Sequence, residues 1–484
     1  MDATLDPARA FAAPYADDDV LLARKLLAET SFDPARKQKV DGLARELIKA
    51  IRAGSRGLGG IEDMLHEYAL TTREGLALMV LAEALLRVPD AATADRLIED
   101  KLGQADFAHH ETRSGVFLVN ASAWALGITA RVIQPGETPE GILRQMTKRL
   151  GVPTVRTATR QAMRVMGNHF VLGQTIEEAL KRAQSAKGRV YRYSFDMLGE
   201  GARTAKDAQK YYDSYAHAID AIGRIAGNRA LPERPGISVK LSALHPRYEA
   251  LNHDQVLEEL TPRIRELARK ARSFDLNFTI DAEEADRLEL SLDVIEAVMA
   301  DPALAGWDGF GLAIQAYQKR ARAVIDHVAE LAERFDRRLM VRLVKGAYWD
   351  TEIKRGQERG LDDYPVFTRK AMTDLNFIAC AERMLELRPR IFPQFATHNA
   401  LTVAQIIERA GDDQGYEFQR LHGMGEQLYG HLLGTRPGIG CRTYAPVGGH
   451  SDLLAYLVRR LLENGANSSF VSVAADPSVA IEDL

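Results

Sequence analysis

The chain has 484 residues, long enough for a large core plus an accessory domain, and its 46% hydrophobic and 27% charged residues are ordinary for a globular protein. Its 63 Lys and Arg against 67 Asp and Glu give a formal charge of −4, which excludes a global attraction to nucleic acid or acidic lipid and leaves only a local basic cleft. Two cysteines, Cys380 and Cys441, form no CxxC or metal-finger spacing, so a disulfide framework is excluded and a reducing cytoplasm is expected.

The opening stretch, MDATLDPARAFAAPYADDD, is acidic and has no long apolar core, so it does not read as a signal peptide. Residues 1–45 read as an extended or partly helical arm punctuated by Pro7, Pro14 and Pro34. Residues 46–150 read as a small all-α domain, with apolar residues at helical spacing over 41–52, 73–87 and 116–128. The most apolar run, 76–88, is interrupted by Glu83 and too short to span a bilayer, so any membrane contact is peripheral. Residues 151–186 continue as a helical linker.

From 187 to 484 the pattern changes. Eight short β-rich runs, 189–195, 237–241, 276–281, 310–315, 339–344, 394–398, 416–421 and 441–445, alternate with helical stretches at 254–273, 284–299, 321–335, 365–387 and 401–410. Eight β-α units predict an α/β fold with a closed parallel (β/α)8 barrel. The other architecture, an open doubly wound sheet, lacks its GxGxxG signature here.

Active sites of such barrels lie at the C-terminal strand ends, so the polar residues there are the candidates. They are Asp196 and Glu200 after the first run, Lys240 in the second and Asp281 at the end of the third. Gln315 and Tyr317 close the fourth, and Arg342 lies within the fifth, which ends in KGAYW (345–349). Thr397, His398 and Asn399 end the sixth, Glu417, Gln419 and Leu421 occupy the seventh, and Tyr444 is in the eighth. Burying each unpaired charge costs several kcal/mol, so charge at this many strand ends points to a polar ligand. Plain alternatives exist: Lys240 on a surface, Asp281 as a helix cap, His398 as a satisfied core histidine. Arg342 within LMVRLVKG is harder to dismiss, since a cation in a Val/Leu run needs an anion or acceptor nearby.

The expected last helix, SDLLAYLVRRLLENGANSSF, places Tyr456, Arg459, Arg460 and Glu463 at i, i+3, i+4 and i+7 on one face. Five Leu and Val residues cover most of the remaining circumference, as in a buried helix. Two adjacent arginines there call for anions, and arginine takes carboxylates in fork geometry; the plain alternative is a solvated Arg459–Glu463 pair. These features together imply a small carboxylate ligand beside a larger polar cofactor. No GxSxG, HExxH or P-loop occurs, and no zinc spacing.

The blocks SFDMLGE, FTIDAEEADR, RLVKGAYWD, ATHNALT, FQRLHGMGE, RTYAPVGGH and YLVRRLLENGANSSF, in this order over about 190–470, resemble the proline dehydrogenase domain of proline utilization A, and RQAMRVMGNHFVLGQTIEEAL resembles that family's linking region. The resemblance implies a distorted barrel with noncovalent FAD that oxidises L-proline to Δ1-pyrroline-5-carboxylate, hydride passing to the flavin N5 and electrons to a membrane quinone. It implies that Arg459 and Arg460 bind the proline carboxylate with Lys240, and that Tyr348, Leu421, Tyr444 and Tyr456 wall the ring. Glu200 is then the gate that pairs with Arg459, Asp281 the support of the arginine cluster, and Arg342 the cation near N5, so that Arg342, Asp281, Tyr348 and Glu200 form the catalytic set. Gln315, Val344, Lys345, Gly346, Ala347, Trp349, Thr368, Lys370, Thr397, His398, Asn399, Glu463, Ser469 and Phe470, with Asp281, Arg342 and Leu421, complete the FAD site. No residue reads as a dedicated base for the substrate amine.

Two departures bear on partners. The chain stops at Leu484, before the aldehyde dehydrogenase half of bifunctional members, so it reads as an isolated domain or a truncation. It also starts at the arm, without the ribbon-helix-helix segment of some members, so no nucleic acid is expected. The competing readings are a flavin barrel for another cyclic imino acid such as a hydroxyproline, which Tyr444 would crowd, a non-catalytic assembly module without FAD, and a helical arm built for subunit wrapping. Oligomeric state is left open.

Overall fold

The computed structural model describes residues 11–54, 171–185, 187–449 and 479–483, with scattered positions between 142 and 159 and at 474. The chain divides into two compact units: Met1–Ala44, Ile176–Met424 and Tyr429–Val447 in one, Arg45–Thr175, Gly425–Leu428 and Gly448–Leu484 in the other. In the second, Arg52 donates to the carbonyls of Ala474 and Val479 at 3.0 and 2.8 Å.

The first unit holds eight parallel strands that close in sequence order. They are β1 (Arg192–Met197), β2 (Gly236–Val239), β3 (Asn277–Ile280), β4 (Phe310–Gln315), β5 (Leu339–Val344), β6 (Ile391–Ala396), β7 (Glu417–Leu421) and β8 (Gly440–Val447). Closure joins β8 to β1 over six residue pairs, Arg192 with Arg442 through Met197 with Val447. The α/β barrel read from the eight runs is therefore present.

Side chains on a strand alternate between faces. One set, including Phe195, Ile237, Phe278, Phe310, Phe395 and Phe418, packs between sheet and helices and is fully buried. Phe278 stacks on Phe310 with ring centroids 6.0 Å apart. The alternate set points inward and is polar: Ser194, Asp196, Ser238, Lys240, Asp281, Arg342, Gln394, Glu417, Gln419, Arg442 and Tyr444. Only the last is not fully buried.

Several boundaries differ from the sequence reading for identifiable reasons. β1 starts at Arg192 because Gly188–Val190 forms a 3-10 turn, which brings Asp196 into the strand. β6 begins at Ile391, before Pro393. A proline is tolerated there because β6 pairs with β7 only from Gln394 onward. The expected helix 365–387 begins at Lys370, a separate helix Trp349–Glu358 precedes it, and the expected helix 284–299 begins at Leu288 after a 3-10 turn. Within the first segment, helix Asp19–Thr30 packs Leu26 against Phe367 and Ala379. Buried Lys319 ties this segment down, reaching the Asp17 carbonyl at 2.9 Å, Asp19 at 2.8 Å and Asp363 at 2.7 Å.

Candidate active site

Six of the residues singled out by sequence, Asp196, Lys240, Asp281, Arg342, Gln419 and Tyr444, meet at the C-terminal end of the barrel. Lys240, just beyond β2, places Nζ 2.9 Å from Asp196 Oδ1, 3.3 Å from Asp281 Oδ2 and 3.2 Å from the Tyr444 hydroxyl. Tyr444 donates to Asp281 Oδ2 at 2.7 Å. Arg342 donates through NH1 to Asp281 Oδ1 at 2.6 Å, through Nε to Gln419 Oε1 at 2.6 Å, and through NH2 to Ser238 and Ser194 at 3.0 and 3.2 Å. Its guanidinium lies 5.0 Å from the centroid of the Tyr444 ring. Asp281 is thus no helix cap. It is the carboxylate that joins both cations and the phenol.

The charges balance, two cations against two carboxylates, which is what makes the cluster tolerable in a buried site. Burial would lower the Lys240 ammonium, but Asp196, Tyr444 and Asp281 around it hold it well above its ordinary value. Burial would raise Asp281, but Lys240 and Arg342 hold it below the usual carboxylate range. Asp196 goes the other way: its burial outweighs Lys240 and pushes the carboxyl up. Burial also pushes the Tyr444 phenol well above its usual range. At neutral pH Lys240 and Asp281 are therefore ionised and Tyr444 keeps its proton.

Beneath this layer Glu417 accepts from Arg442 at 2.6 Å and Arg192 at 2.9 Å, at the N-terminal end of the barrel. Above it lies the rim. Gln315 donates to the Glu283 carbonyl at 2.7 Å and accepts from Ala347 N at 3.4 Å. Lys345 and Lys370 share the carboxylate of Asp374, the second at 2.9 Å. Gly346 has φ +135°, and a Cβ there would lie 2.5 Å from the Tyr317 ring. Val344 and Tyr348 are half-buried, Trp349 is exposed with its indole N–H on the Phe367 carbonyl at 2.9 Å, and Thr368 is exposed. Across the rim, Thr397 Oγ1 accepts from Asn399 N at 3.1 Å, Asn399 caps helix Ala400–Ala410 through Thr402 N, and His398 accepts from Leu421 N at 3.1 Å. Glu200 is half-buried in the turn after β1. Tyr456, Arg459, Arg460, Glu463, Ser469 and Phe470 lie outside the described residues.

Sequence reasoning named Asp196 and Gln419 but gave them no role, and it passed over Ser194 and Ser238. The available signal was strand parity: each stands two residues from another inward polar residue, as in Ser194–Asp196, Ser238–Lys240 and Glu417–Gln419.

Chemically the cluster offers a fixed ammonium and guanidinium beside an ordered phenol wall. Among the described residues no group of three or more His, Cys, Asp or Glu could hold a metal ion, and no helix is long and apolar enough to cross a membrane. The rim suits a flat, polyanionic cofactor. Lys345 and Lys370 meet at Asp374 there, two cations of the kind that bind a diphosphate, and Gly346 lets the backbone lie directly against the Tyr317 ring.

Residues 179–473 match the family model described as proline dehydrogenase, and residues 60–170 match one described as the DNA-binding domain of proline dehydrogenase. The chain is 49% identical over 474 residues to the bifunctional protein PutA of Salmonella typhimurium, covering 95% of the chain and 36% of that protein. It is 28% identical over 312 residues to proline dehydrogenase 1 of Bacillus subtilis, covering 64% of the chain and 90% of that protein. Among solved structures, a variant of Bradyrhizobium japonicum proline utilization A (PutA) superposes with a TM-score of 0.77 at 67% identity, covering 99% of the chain and 48% of that one. The chain spans about a third of the curated PutA proteins it matches, 36% of the Salmonella protein. With a family model matched over more than half its length, the chain belongs to the proline dehydrogenase family.

Proposed function

We propose that this chain oxidises L-proline to Δ1-pyrroline-5-carboxylate with noncovalent FAD and passes the electrons to a quinone. The observation that carries the reading is the Lys240–Asp281–Arg342–Tyr444 cluster at the strand ends of a barrel from the proline dehydrogenase family. Bound FAD supplies the acceptor for the hydride that leaves proline C5.

The residues do the positioning. Lys240 supplies a charged ammonium for the substrate carboxylate, and Arg459 and Arg460 are its partners in this reading on the strength of their motif. Tyr348, Leu421, Tyr444 and Tyr456 wall the ring, and Glu200 pairs with Arg459. Tyr444 holds its proton on a hydroxyl directed at Asp281, so it acts as a fixed wall rather than as an acid or base. Arg342, held from four sides, places positive charge where negative charge accumulates during hydride transfer. Water takes the proton from the substrate amine. Gln315, Val344, Lys345, Gly346, Ala347, Trp349, Thr368, Lys370, Thr397, His398, Asn399, Glu463, Ser469 and Phe470 hold the FAD, with Lys345 and Lys370 at its diphosphate. Docking to the membrane that carries the quinone is peripheral, and nucleic acid is no partner.

The test is a visible spectrum of the purified protein before and after anaerobic L-proline. Flavin bands that bleach support the reading; bands that stay oxidised refute proline as substrate, and their absence refutes the cofactor. A hydroxyproline is a poor substrate in this reading, because Tyr444 is pinned by both Lys240 and Asp281 and cannot swing aside for a ring hydroxyl.

A further inference from the structure

The placing of Arg342 next to the flavin, part of the function just proposed, is the premise here. We propose that Gln419 is a positioning residue that fixes the orientation of the Arg342 guanidinium, and that Glu417 fixes the direction of the Gln419 amide.

Arg342 is buried, and its planar fork must be held if its charge is to sit at one place. Asp281 holds the NH1 end at 2.6 Å. The NH2 end rests on Ser238 and Ser194, whose hydroxyls are 2.9 Å apart and free to rotate toward each other, so they adapt rather than impose. The remaining restraint acts at Nε, where the acceptor is Gln419 Oε1 at 2.6 Å. A guanidinium held at Nε and NH1 by two fixed acceptors has its plane defined; held at NH1 and by two rotatable serine hydroxyls it can pivot.

An amide offers an oxygen or an NH2, and only the oxygen serves Arg342. Gln419 Nε2 faces Glu417 Oε1 at 3.4 Å. That bond is long and weak, but Glu417 decides the direction through its charge. Burial would raise the Glu417 carboxyl, yet Arg442 and Arg192 outweigh it and hold it below the usual range, so it is an acceptor only. Turning the Gln419 amide over would set its oxygen against this carboxylate and its NH2 against the guanidinium, two repulsions at once in a site closed to water. The ion pair at the base of the barrel thereby orients a cation at its top, through one neutral side chain that is itself buried.

Gln394 provides the control. It too is buried and donates to Glu417 Oε1, at 2.7 Å, but it forms no hydrogen bond with Arg342 among the described residues. The experiment is the flavin reduction potential and the steady-state kinetics of holoenzyme carrying Gln419→Met, Gln394→Met, Arg342→Met or Arg342→Met with Gln419→Met. The expected result is that Q419M lowers kcat about tenfold with KM for L-proline within about twofold. It also shifts the two-electron flavin equilibrium about tenfold toward the oxidised form, about 30 mV more negative. Q394M should move neither, and Q419M should add nothing in the R342M background, the signature of action through Arg342. Equal effects of Q419M and Q394M, or full additivity with R342M, would overturn the proposal. An unchanged potential in R342M would instead overturn the premise that Arg342 faces the flavin, whatever Q419M does. If Q419M does not retain flavin, Gln419→Asn withdraws the acceptor by one methylene while keeping an amide, and the same shift is required of it.

Discussion

Asp281 has more at stake than any other single carboxylate, since it alone accepts from Lys240, Arg342 and Tyr444 together. Asp281→Asn keeps the shape but removes the charge that offsets two buried cations. We expect kcat/KM for L-proline to fall about 10²–10³-fold, the range for removing one preorganised electrostatic group, with flavin still bound; a loss under tenfold would mean that the cluster is structural. Glu352 offers a pH test. Burial, offset only partly by the Ala285 N–H it accepts, pushes its carboxyl from an ordinary 4.5 to about 7. A raised acid favours the folded state most while protonated, so its contribution is complete below about 4.5 and is lost as the pH rises through about 7. Glu352→Gln does not titrate. Its stability relative to wild type should therefore climb from pH 4.5 to 7 and level off above, by denaturant unfolding; a gap that narrows over that window would refute the assignment. At this scale the charged residues were readable from sequence as a site, whereas Gln419 was named without a role and Ser194 and Ser238 were passed over. Lys240 and Arg342 stand out because a cation inside an apolar strand run demands a partner. Gln419 and the two serines do not, and their partner depends on which strands face each other across the barrel, which no local pattern encodes.

Strands were legible as elements because parallel strands buried on both sides read as short apolar runs, and all eight fall within a few residues of their expected places. The misplaced ends lie where a local rule was overridden: Pro393 survives in β6 because its neighbour β7 begins pairing only after it, and residues 365–369 stay extended because Val366 bridges to Gln318 and Phe367 N donates to the Tyr317 carbonyl at 2.8 Å. That same segment and the turn after β5 form the rim proposed to hold FAD. Gly346 is its tightest point. With φ +135° and a Cβ position 2.5 Å from the Tyr317 ring, alanine strains the backbone and displaces a buried tyrosine. The backbone conformation alone costs about 1–3 kcal/mol. Gly346→Ala should lower both the melting temperature and the flavin content per chain, and full occupancy with an unchanged melting curve would show that the turn is tolerant.

For the whole molecule, the sharpest question is whether it touches DNA. Residues 60–170 match a model described as a DNA-binding domain, whereas the charge argues the other way. A protein that grips duplex DNA neutralises phosphates with clustered cations, and its affinity falls steeply with salt for that reason. The matched segment holds 12 Lys and Arg against 13 Asp and Glu, and the chain as a whole carries −4. The counterweight is local: residues 141–170 hold six Lys and Arg and no Asp or Glu. Six cations would still have to act against the repulsion of a net negative protein, and non-specific duplex binding is typically only about 10⁻⁴–10⁻⁶ M at physiological salt. We therefore expect no shift of a duplex by this chain at micromolar concentration in about 150 mM salt, a typical physiological ionic strength. Binding that appears only at low salt would be the basic run acting alone. Sequence-selective binding that persists at physiological salt would mean that the segment reads DNA despite its charge, and the chain would have a second function.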